Sequence, residues 1–521
     1  MKSVLGLKLP GISSETTSER ASKERLSESG KPQNDVWEPL RPLLILLDCH
    51  RRKSYLSWTD VGEILLQVGG QSEVVPVASV ALRGTQLQVV VQPEAHEYDN
   101  CMLLDVANGV SPMSWRLEQT SLVLNDGALT LWCRSLEGQA NLRLLYDMCM
   151  LARFEHMSLY KALTATVIST HGSQISDIAA VLLAQHSYKD WCYISIGGEW
   201  VKAWCHVDRS PKGPGRHDGR HQIKFFRDSK SLNAKNLLCF IPDCGEVEDL
   251  FFVTDQDESV TQGTLPEDRF GAPAYANHLK GRRPLSDSIE TSLEDLLSKL
   301  TTLRVVGDVY WPADGMSSDS SGSKSSILGS MPLSPKKKRR NTVSLNGSGS
   351  SLTGHSSFSH KRSVSMSSSV HHPQAGDYDN KTSELLIKPI PHSGVDHLES
   401  LIRCVLPMMS CLSLYGRPVH FSNSREDPNS LLFGLPRLPI VDYFAREEIG
   451  PLFEYLDATV GDSKSLNKTL AAQKLYLTQQ MTDPNRRDRS FTTLEDLVRT
   501  GSDFSVFTSS TTGSVSNSPL I

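Results

Sequence analysis

Short strand-like segments form two separate series along this chain, and each series ends in a segment with helical periodicity. In the first series, apolar residues alternate at Leu87, Val89 and Val91, which is the period of a half-buried strand. Asn125-Asp126-Gly127 is a typical hairpin sequence, because glycine tolerates positive φ. The strands expected in this series are Leu43–Leu47, Glu63–Val68, Leu87–Val91, Leu122–Leu124 and Leu129–Cys133. They predict an antiparallel sheet with one face exposed to water.

The period changes after the first series. From Glu137 to about Phe154, apolar residues recur every three or four positions, which predicts an amphipathic helix. Two further helical segments, Ser158–Ser169 and Ser176–His186, are expected on either side of His171-Gly172-Ser173, with Ser176 as the N-cap of the second. A strand series followed by one amphipathic helix is typical of a small barrel that is closed by a C-terminal helix.

A second strand series begins at Trp191 and repeats this plan. Its expected strands are Val201–Val207, Gln222–Phe226, Asn236–Ile241, Leu250–Thr254, Leu303–Trp311 and Glu384–Pro389. A helix is expected near Val395–Leu414, with a kink at Pro407. We therefore predict an α+β, mainly β fold with two seven-stranded barrels, each capped by a C-terminal helix, and with long disordered segments.

Disorder is predicted where the composition cannot support a core. Serine dominates residues 316–383, and the first 36 residues are polar and have no sustained apolar period. Hydrophobic residues make up 39% of the chain, against roughly 45–50% in compact domains. We therefore expect both segments, and most of the region after 457, to lack stable structure.

Several stretches resemble fungal tandem pleckstrin-homology (PH) proteins, a family that includes a subunit associated with the Not-type mRNA deadenylase complex and its cortical, bud-neck-associated relative. The stretches that carry the resemblance are Phe154–Ala162, Ser169–Ile178, Asp190-Trp191, His50–Leu56, Leu412–Pro418 and Ser430–Pro436. Together they span roughly residues 40–440. The resemblance implies two PH-like domains and no catalysis.

The resemblance and the periodicity together predict a division of the chain. Its parts are a disordered N-terminus (1–36), a first PH-like domain (37–156), a helical linker (157–187), the first part of a second PH-like domain (188–315), a disordered Ser-rich insertion (316–383), the last strand and helix of that domain (384–420), an extension (421–456) and a mostly disordered tail (457–521) with one helix at Ser465–Met481.

Catalytic and metal-binding motifs are not found in the sequence. It contains no nucleophile elbow, zinc-protease motif, P-loop or dinucleotide fingerprint, so we expect no enzyme activity and no cofactor. The ten cysteines lack paired metal-ligand spacing and are interpreted as reduced thiols, so no metal is expected. The net charge of −5 excludes a globally basic nucleic-acid binder, and no direct contact with nucleic acid is expected.

A basic loop in the second series is the best candidate for binding an anion. Cations on a loop beside a barrel mouth could hold a phosphorylated head group, with Arg donating paired N–H groups and Lys acting as a point charge. The candidate residues are Lys189, Lys202, Arg209, Lys212, Arg216, Arg220 and Lys224. The alternative is a solvated loop, which the small number of cations on the strands favours. Trp191, Trp200 and Trp204 are interpreted as packing residues of the sheet.

A basic tract lies inside the predicted insertion. It consists of Pro335, Lys336, Lys337, Lys338, Arg339 and Arg340. Such a run could serve as a nuclear import signal, could add about 1 kcal/mol per charge to binding of an anionic membrane, or could be inert. Ser334, Thr342 and Ser365 lie in contexts that suit proline-directed or basophilic kinases.

These features predict a non-enzymatic adaptor that binds proteins at the cell cortex or in a deadenylase-associated complex. The alternative is a phosphoinositide-binding protein that targets membranes in cortical, polarised growth. We expect a cytoplasmic location with enrichment at the cell cortex or bud neck, and nuclear entry if the basic tract acts as an import signal.

Phosphorylation beside the basic tract is expected to control location, because phosphate cancels the charge of nearby cations. Alanine at Ser334, Thr342 and Ser365 should therefore shift the distribution of a tagged chain, as measured by live imaging. An unchanged distribution would contradict this hypothesis.

Overall fold

The computed structural model describes residues 38–59, 61, 63–68, 74–92, 101–107, 115–124, 129–183, 188–208, 222–242, 247–254, 293–312, 370–371, 373–412, 414, 422–452 and 466–499. These residues form two antiparallel sheets and several helices, so the predicted α+β class is confirmed. The predicted disordered N-terminus, residues 1–36, lies outside the described residues.

The first element is a helix, α1, over Arg41–Arg52. Its buried residues are Leu43, Leu46, Leu47 and His50, a spacing of three and four that places them on one face, against the helix α2 defined below. The predicted strand at Leu43–Leu47 is therefore wrong. A short apolar run is typical of a buried strand. Here, however, Pro42 occupies the first turn of a helix, where its missing N–H has no cost.

The first sheet contains β1 Ser54–Thr59, β2 Ile64–Val68, β3 Val74–Arg83, β4 Gln86–Val91, β5 Cys101–Asp105, β6 Arg116–Leu117, β7 Ser121–Leu124 and β8 Leu129–Cys133. The strand order is β5-β4-β3-β2-β8-β7-β6, and β1 pairs with β3. In the described part of the chain this order stays open between β5 and β6. The predicted turn at Asn125-Asp126-Gly127 lies outside the described residues, but Leu124 and Leu129 on either side of it are antiparallel partners.

A single helix, α2, runs over Leu136–His171. Its 36 residues correspond to about 54 Å, enough to reach past both sheets. The side chain of Ser135 caps it by accepting a hydrogen bond from the N–H of Gly138 at 2.9 Å. The helix of the first series was predicted to end near Phe154, and this prediction is wrong.

The middle of α2 is buried on all sides. Every side chain from Asp147 to Ala165 is buried, including several charged ones. The region predicted as a linker, 157–187, thus begins inside the core. After a 3₁₀ turn over Gly172–Gln174, the short helix α3 covers Ile178–Leu183 and begins two residues after the predicted N-cap.

The second sheet contains β9 Lys189–Ile196, β10 Glu199–Asp208, β11 Gln222–Phe226, β12 Leu237–Ile241, β13 Val247–Thr254, β14 Leu300–Trp311 and β15 Asn380–Pro389. The strand order is β12-β11-β10-β9-β15-β14-β13. Phe240 of β12 also pairs with Tyr310 of β14, so six of the seven strands form a closed ring. The predicted strands of this series are confirmed within a few residues of their ends.

The end of the predicted insertion is part of the fold. Residues 316–369 lie outside the described residues, but Pro373 and Val370-His371 are described and the last strand begins at Asn380, four residues before the predicted start. The N–H of His371 donates to the carbonyl of Leu232 at 2.8 Å. The side-chain amide of Gln222 donates to the carbonyl of Pro373 at 2.8 Å. Because these backbone groups are hydrogen-bonded to the sheet, this part of 316–383 is ordered despite its polar composition.

The helix α4 covers His397–Cys411 and packs on the second sheet. Asp396 caps it by accepting from the N–H of Leu398 at 3.0 Å. The predicted helix at Val395–Leu414 is confirmed with shorter ends, and Pro407 lies inside it as expected.

The C-terminal segment is more ordered than the sequence predicts. It contains residues 422–452, the helix α5 over Leu466–Thr482, a 3₁₀ turn over Pro484–Asp488 and the helix α6 over Leu494–Arg499. Arg489 contacts Glu448 at 3.0 Å, and Leu477 is fully buried. The helix predicted at Ser465–Met481 is confirmed by α5, whereas the prediction of disorder is wrong for 483–499. The apolar periodicity of this segment is too weak to predict its order, because ion pairs hold it against the preceding residues.

Among the described residues, none of the helices has both the length and the apolar composition needed to cross a membrane.

Gly434 is a position where the fold depends on a glycine. Its φ is +67°, and an added Cβ would collide with the side chain of Leu477 in α5. Since a left-handed conformation costs a non-glycine residue roughly 1–2 kcal/mol, Gly434→Ala should lower the free energy of unfolding by about 2 kcal/mol or more in urea titrations.

The matched control is Gly450→Ala, because Gly450 is a helical residue with nothing within 4 Å of an added Cβ. We expect this control to be neutral or to stabilise by roughly 0.5–1 kcal/mol. Equal urea midpoints for Gly434→Ala and the wild-type chain would show that the docking of α5 on this turn is not as described.

Candidate functional site

A buried ionic cluster joins α1, α2 and the C-terminal segment. The ammonium of Lys53 lies 2.9 Å from both carboxylate oxygens of Glu155 and 3.2 Å from Asp442. The hydroxyl of Tyr55 also donates to Glu155. The N–H of Thr492 donates to the other oxygen of Asp442 at 2.8 Å. We call Lys53, Tyr55, Glu155 and Asp442 the central cluster.

The charges of the central cluster depend on one another. Burial opposes the charged form of Lys53, but the two carboxylates Glu155 and Asp442 outweigh it and raise the pKa of the ammonium. A buried ion that loses its partner costs about 3–5 kcal/mol, so each member holds the other elements in place. Lys53 directly follows α1, Glu155 lies on α2 and Asp442 lies in the 422–452 segment.

Two buried histidines lie beside the central cluster. The ring of His50 contacts the carbonyl of Ala152 at 3.2 Å, and its centroid is 5.8 Å from that of His156. Burial, reinforced by the charge of Lys53, lowers the pKa of His50 to about 3. Burial, together with His50 and Arg304, lowers the pKa of His156 well below its usual value. Both rings are therefore neutral in the folded protein near pH 7.

A second pair of ions joins α2 to the second sheet. The ammonium of Lys161 lies 3.1 Å from Asp249 on β13, and Lys474 of α5 approaches the same carboxylate at 3.9 Å. Burial, only partly offset by Asp249, lowers the pKa of Lys161 to about 8. Thr164 adds a hydrogen bond by accepting from the N–H of Phe252 at 2.8 Å.

Two arginines donate hydrogen bonds to the backbone just after β5 of the first sheet. Arg304 of β14 donates to the carbonyl of Ala107, just after β5 of the first sheet, and to Glu384 of β15. Arg153 of α2 donates to the carbonyl of Val106 at 3.2 Å. The end of β5 is therefore bonded to both α2 and the second sheet.

These polar groups leave little space for a ligand. Cavities of about 10 Å³ lie beside the central cluster and inside the first sheet, where eight Leu, Val and Met side chains line the walls. This volume is about that of one water molecule, so neither cavity can admit a substrate or head group. Among the described residues there is also no group of three or more His, Cys, Asp or Glu arranged to hold a metal ion.

The residues predicted to bind an anion are separated by the structure. Lys189 and Lys202 are exposed on β9 and β10. Lys224 is 0% exposed and donates to the carbonyl of His371 at 3.2 Å, because residues 370–378 cover the outer side of β11. Its prediction as an anion-binding residue is therefore corrected, because this ammonium is buried and bonded to backbone. Arg209, Lys212, Arg216 and Arg220 lie outside the described residues, and so do Ser334, Pro335, Lys336, Lys337, Lys338, Arg339, Arg340, Thr342 and Ser365.

A surface on the outer side of the second sheet is not predicted by the sequence. Trp191 and Trp200 are half-buried there, with Lys202 and Lys388 each 4.9 Å above a ring. Lys388 was not singled out, since only the pairing of β15 with β9 brings it beside these rings. The tryptophans do pack on the sheet, as expected, but on its solvent side.

Comparison with known proteins agrees with this fold. A family described as "Fungal PH-like domain" matches residues 358–433, which include β15 and α4. The chain is 31% identical over 512 residues to the uncharacterized protein YJL016W of Saccharomyces cerevisiae, a match that covers 94% of this chain and 85% of that protein. It is 42% identical over 69 residues to the CCR4-NOT transcriptional complex subunit CAF120 of the same yeast, covering 13% of this chain and 6% of that subunit. No solved structure matches.

The protein thus contains a fungal PH-like domain, as the resemblance in its sequence predicted. More specifically, the chain belongs to the family of the yeast protein YJL016W.

The buried histidines predict loss of stability in acid. Below pH 6.5 the unfolded chain takes up a proton on His50, whereas the folded chain does so only near pH 3. Unfolding is therefore favoured as the pH falls through this window, by about 2 kcal/mol per buried histidine at pH 5.

Urea unfolding at pH 7.5 and 5.0 measures this loss. In His50→Asn the loss between the two pH values should shrink by about 2 kcal/mol. An unchanged loss in His50→Asn would mean that His50 is already charged in the folded chain.

Proposed function

We propose that this protein is a non-enzymatic adaptor in which both sheets belong to PH-like domains and present their outer surfaces to protein partners. The proposal rests on one observation, which is that α2 fills the space between the two sheets. Lys53, Glu155, Lys161 and Asp249 are all used in internal ion pairs. The buried polar groups that an enzyme would use for catalysis thus serve to hold the sheets in one arrangement.

The tandem arrangement is supported by the order of elements. Each sheet is followed by a helix that packs on it, α2 for the first and α4 for the second. The proposed domains are 37–156 for the first and 188–315 with 384–420 for the second, with 421–456 as an extension. The proposed linker 157–187 would contribute its first half to the core.

The proposed setting is a CCR4-NOT-type complex. The name of CAF120 assigns that yeast protein to the complex, and the 69 matched residues support a related role for this chain. A protein that only brings partners together needs surfaces of fixed relative position, and the ion pairs of α2 supply that rigidity. Cytoplasm with enrichment at the cell cortex is the proposed location.

A second candidate function is binding of a phosphoinositide membrane surface. Lys189 and Lys202 favour it, because both are exposed on neighbouring strands and β10 leads into the basic segment 209–221. Arg209, Lys212, Arg216 and Arg220 of that segment would supply the remaining cations. In this role the chain would bind a membrane surface in place of Not-type subunits, and it would need no enclosed pocket.

Affinity purification and vesicle sedimentation of the full chain test these proposals together. If the adaptor proposal holds, a tagged chain should recover Not-type subunits from fungal extracts, and recovery should persist when Lys212, Arg216 and Arg220 are changed to alanine. Vesicles that carry a phosphoinositide should not sediment the chain.

Sedimentation that is lost in the triple variant, without recovery of Not-type subunits, would favour the membrane role and contradict the adaptor role. Recovery of neither partner would contradict both.

A further inference from the structure

The outer face of the second sheet carries aromatic rings and lysines in a regular pattern. Tyr193 of β9 is the direct neighbour of Lys202 on β10 and of Lys388 on β15. Since adjacent strands lie about 4.8 Å apart, the two lysine backbones are about 10 Å apart with the tyrosine between them. We call Trp191, Tyr193, Trp200, Lys202, Trp204 and Lys388 the aromatic–lysine face.

The rings of this face lie next to one another along the strands. Trp191 meets Trp204 edge-on, with centroids 5.3 Å apart and planes at 70°. Lys202 lies over Trp191, and Lys388 lies over Trp200. Tyr193 is 37% exposed in the middle of the group, so part of its ring is accessible to a partner. The face therefore offers flat apolar surface and positive charge at the same place.

The strands of this face leave no backbone groups for a partner. β9 pairs with β10 and β15, β10 also pairs with β11, and β15 also pairs with β14. A peptide that binds by adding a strand needs a free edge, and none of these three strands has one. A partner of this face must therefore bind to the side chains.

The charge of the face selects an anionic partner. Lys189, Lys202 and Lys388 contribute positive charge, whereas Asp190 is bonded to His392 at 2.7 Å and Glu199 remains as an exposed acid. Rings that insert into a lipid bilayer must project from the protein, but the three tryptophans here are half-buried against the sheet. The chemistry fits a partner that repeats a flat ring and a negative charge at every residue.

We propose that the aromatic–lysine face binds single-stranded nucleic acid. Bases stack on the exposed ring of Tyr193, and the ammonium groups of Lys202 and Lys388, which lie over the neighbouring indole rings, contact phosphates on either side. A stacking platform with flanking cations is the usual means of binding single strands without strong sequence preference. The net charge of −5 argued against any such contact, but the charge that matters here is local.

Fluorescence anisotropy of the full chain tests this proposal with two labelled probes, a 12-nucleotide oligouridine RNA and the matching oligothymidine DNA. We expect binding at 50 mM salt to at least one probe, with log K falling against log salt at a slope of about −1.4 for two phosphates. Binding of only one probe identifies RNA or DNA as the physiological strand type.

Substitutions on the face separate stacking from charge. Tyr193→Ala should weaken binding about tenfold or more, whereas Tyr193→Phe keeps the ring and should keep the affinity. Lys202→Ser combined with Lys388→Ser should weaken binding and flatten the salt slope. The matched control is Lys230→Ser with Lys235→Ser, which removes the same charge from exposed positions elsewhere on the second sheet and should change the affinity by less than about twofold.

The basic tract could bind nucleic acid by itself, so each variant is also measured in a chain with serine at 336–340. Thermal unfolding of every variant establishes that it is folded. Three results would overturn the proposal. They are no binding at 50 mM salt, equal affinity of Tyr193→Ala and the wild type, and binding of the face to vesicles of phosphatidylcholine and phosphatidylserine in place of either oligonucleotide.

Discussion

The structure depends on the pairing of charges along a helix that is buried on all sides. From Asp147 to Ala165, α2 has no solvent-facing side chain, yet this stretch contains Arg153, Glu155 and Lys161. An unpaired charge in such a place would cost several kcal/mol, so each needs a partner from another part of the chain. Lys53 after α1 and Asp249 on β13 are those partners for Glu155 and Lys161.

This pairing explains why the two sheets form one unit. Ion pairs have strict geometry, so α1, the second sheet and the C-terminal segment must meet α2 in register for Lys53, Asp249 and Asp442 to reach their partners. Arg304 then connects the second sheet to the end of β5. The cost of burying these ions makes a loosely joined pair of domains unfavourable and a single arrangement favourable.

Much of the fold could be predicted from the sequence, for reasons that also explain the errors. The alternation at Val201, Ala203 and Cys205 gives β10 directly, because one side of that strand faces the interior of the ring. The run Leu43–Leu47 was misassigned because an apolar run of five residues does not distinguish a strand from a helix. The helix is instead marked by Pro42 in its first turn and by the three- and four-residue spacing of its buried face, which packs on α2.

The sequence predicts α2 as separate helices because the polar residues at 153–161 interrupt its apolar stripe. Single-sequence periodicity treats Glu155 and Lys161 as solvent-facing, whereas their partners come from residues about 100 and 90 positions away. Order at 483–499 is not predicted for the same reason, since Arg489 is held by Glu448 rather than by an apolar face.

The candidate sites show the same limit, which is that local sequence patterns do not reveal long-range contacts. Periodicity located Lys189 and Lys202, but burial of Lys224 and the position of Lys388 beside Tyr193 follow from strand pairing across nearly 200 residues. Long-range pairing of this kind leaves no local pattern in the sequence. The family, in contrast, is recognisable from the stretch around Glu155 and His156, whose polar side chains are buried within α2.

If α2 and its ion pairs make both sheets one cooperative unit, amides throughout that unit become exposed together. Hydrogen–deuterium exchange of the full chain at increasing urea measures this cooperativity. We expect peptides from β1–β8, from β9–β15 and from the middle of α2 to lose protection at the same urea concentration. Loss of protection in one sheet at lower urea, while the other sheet and α2 stay protected, would contradict it.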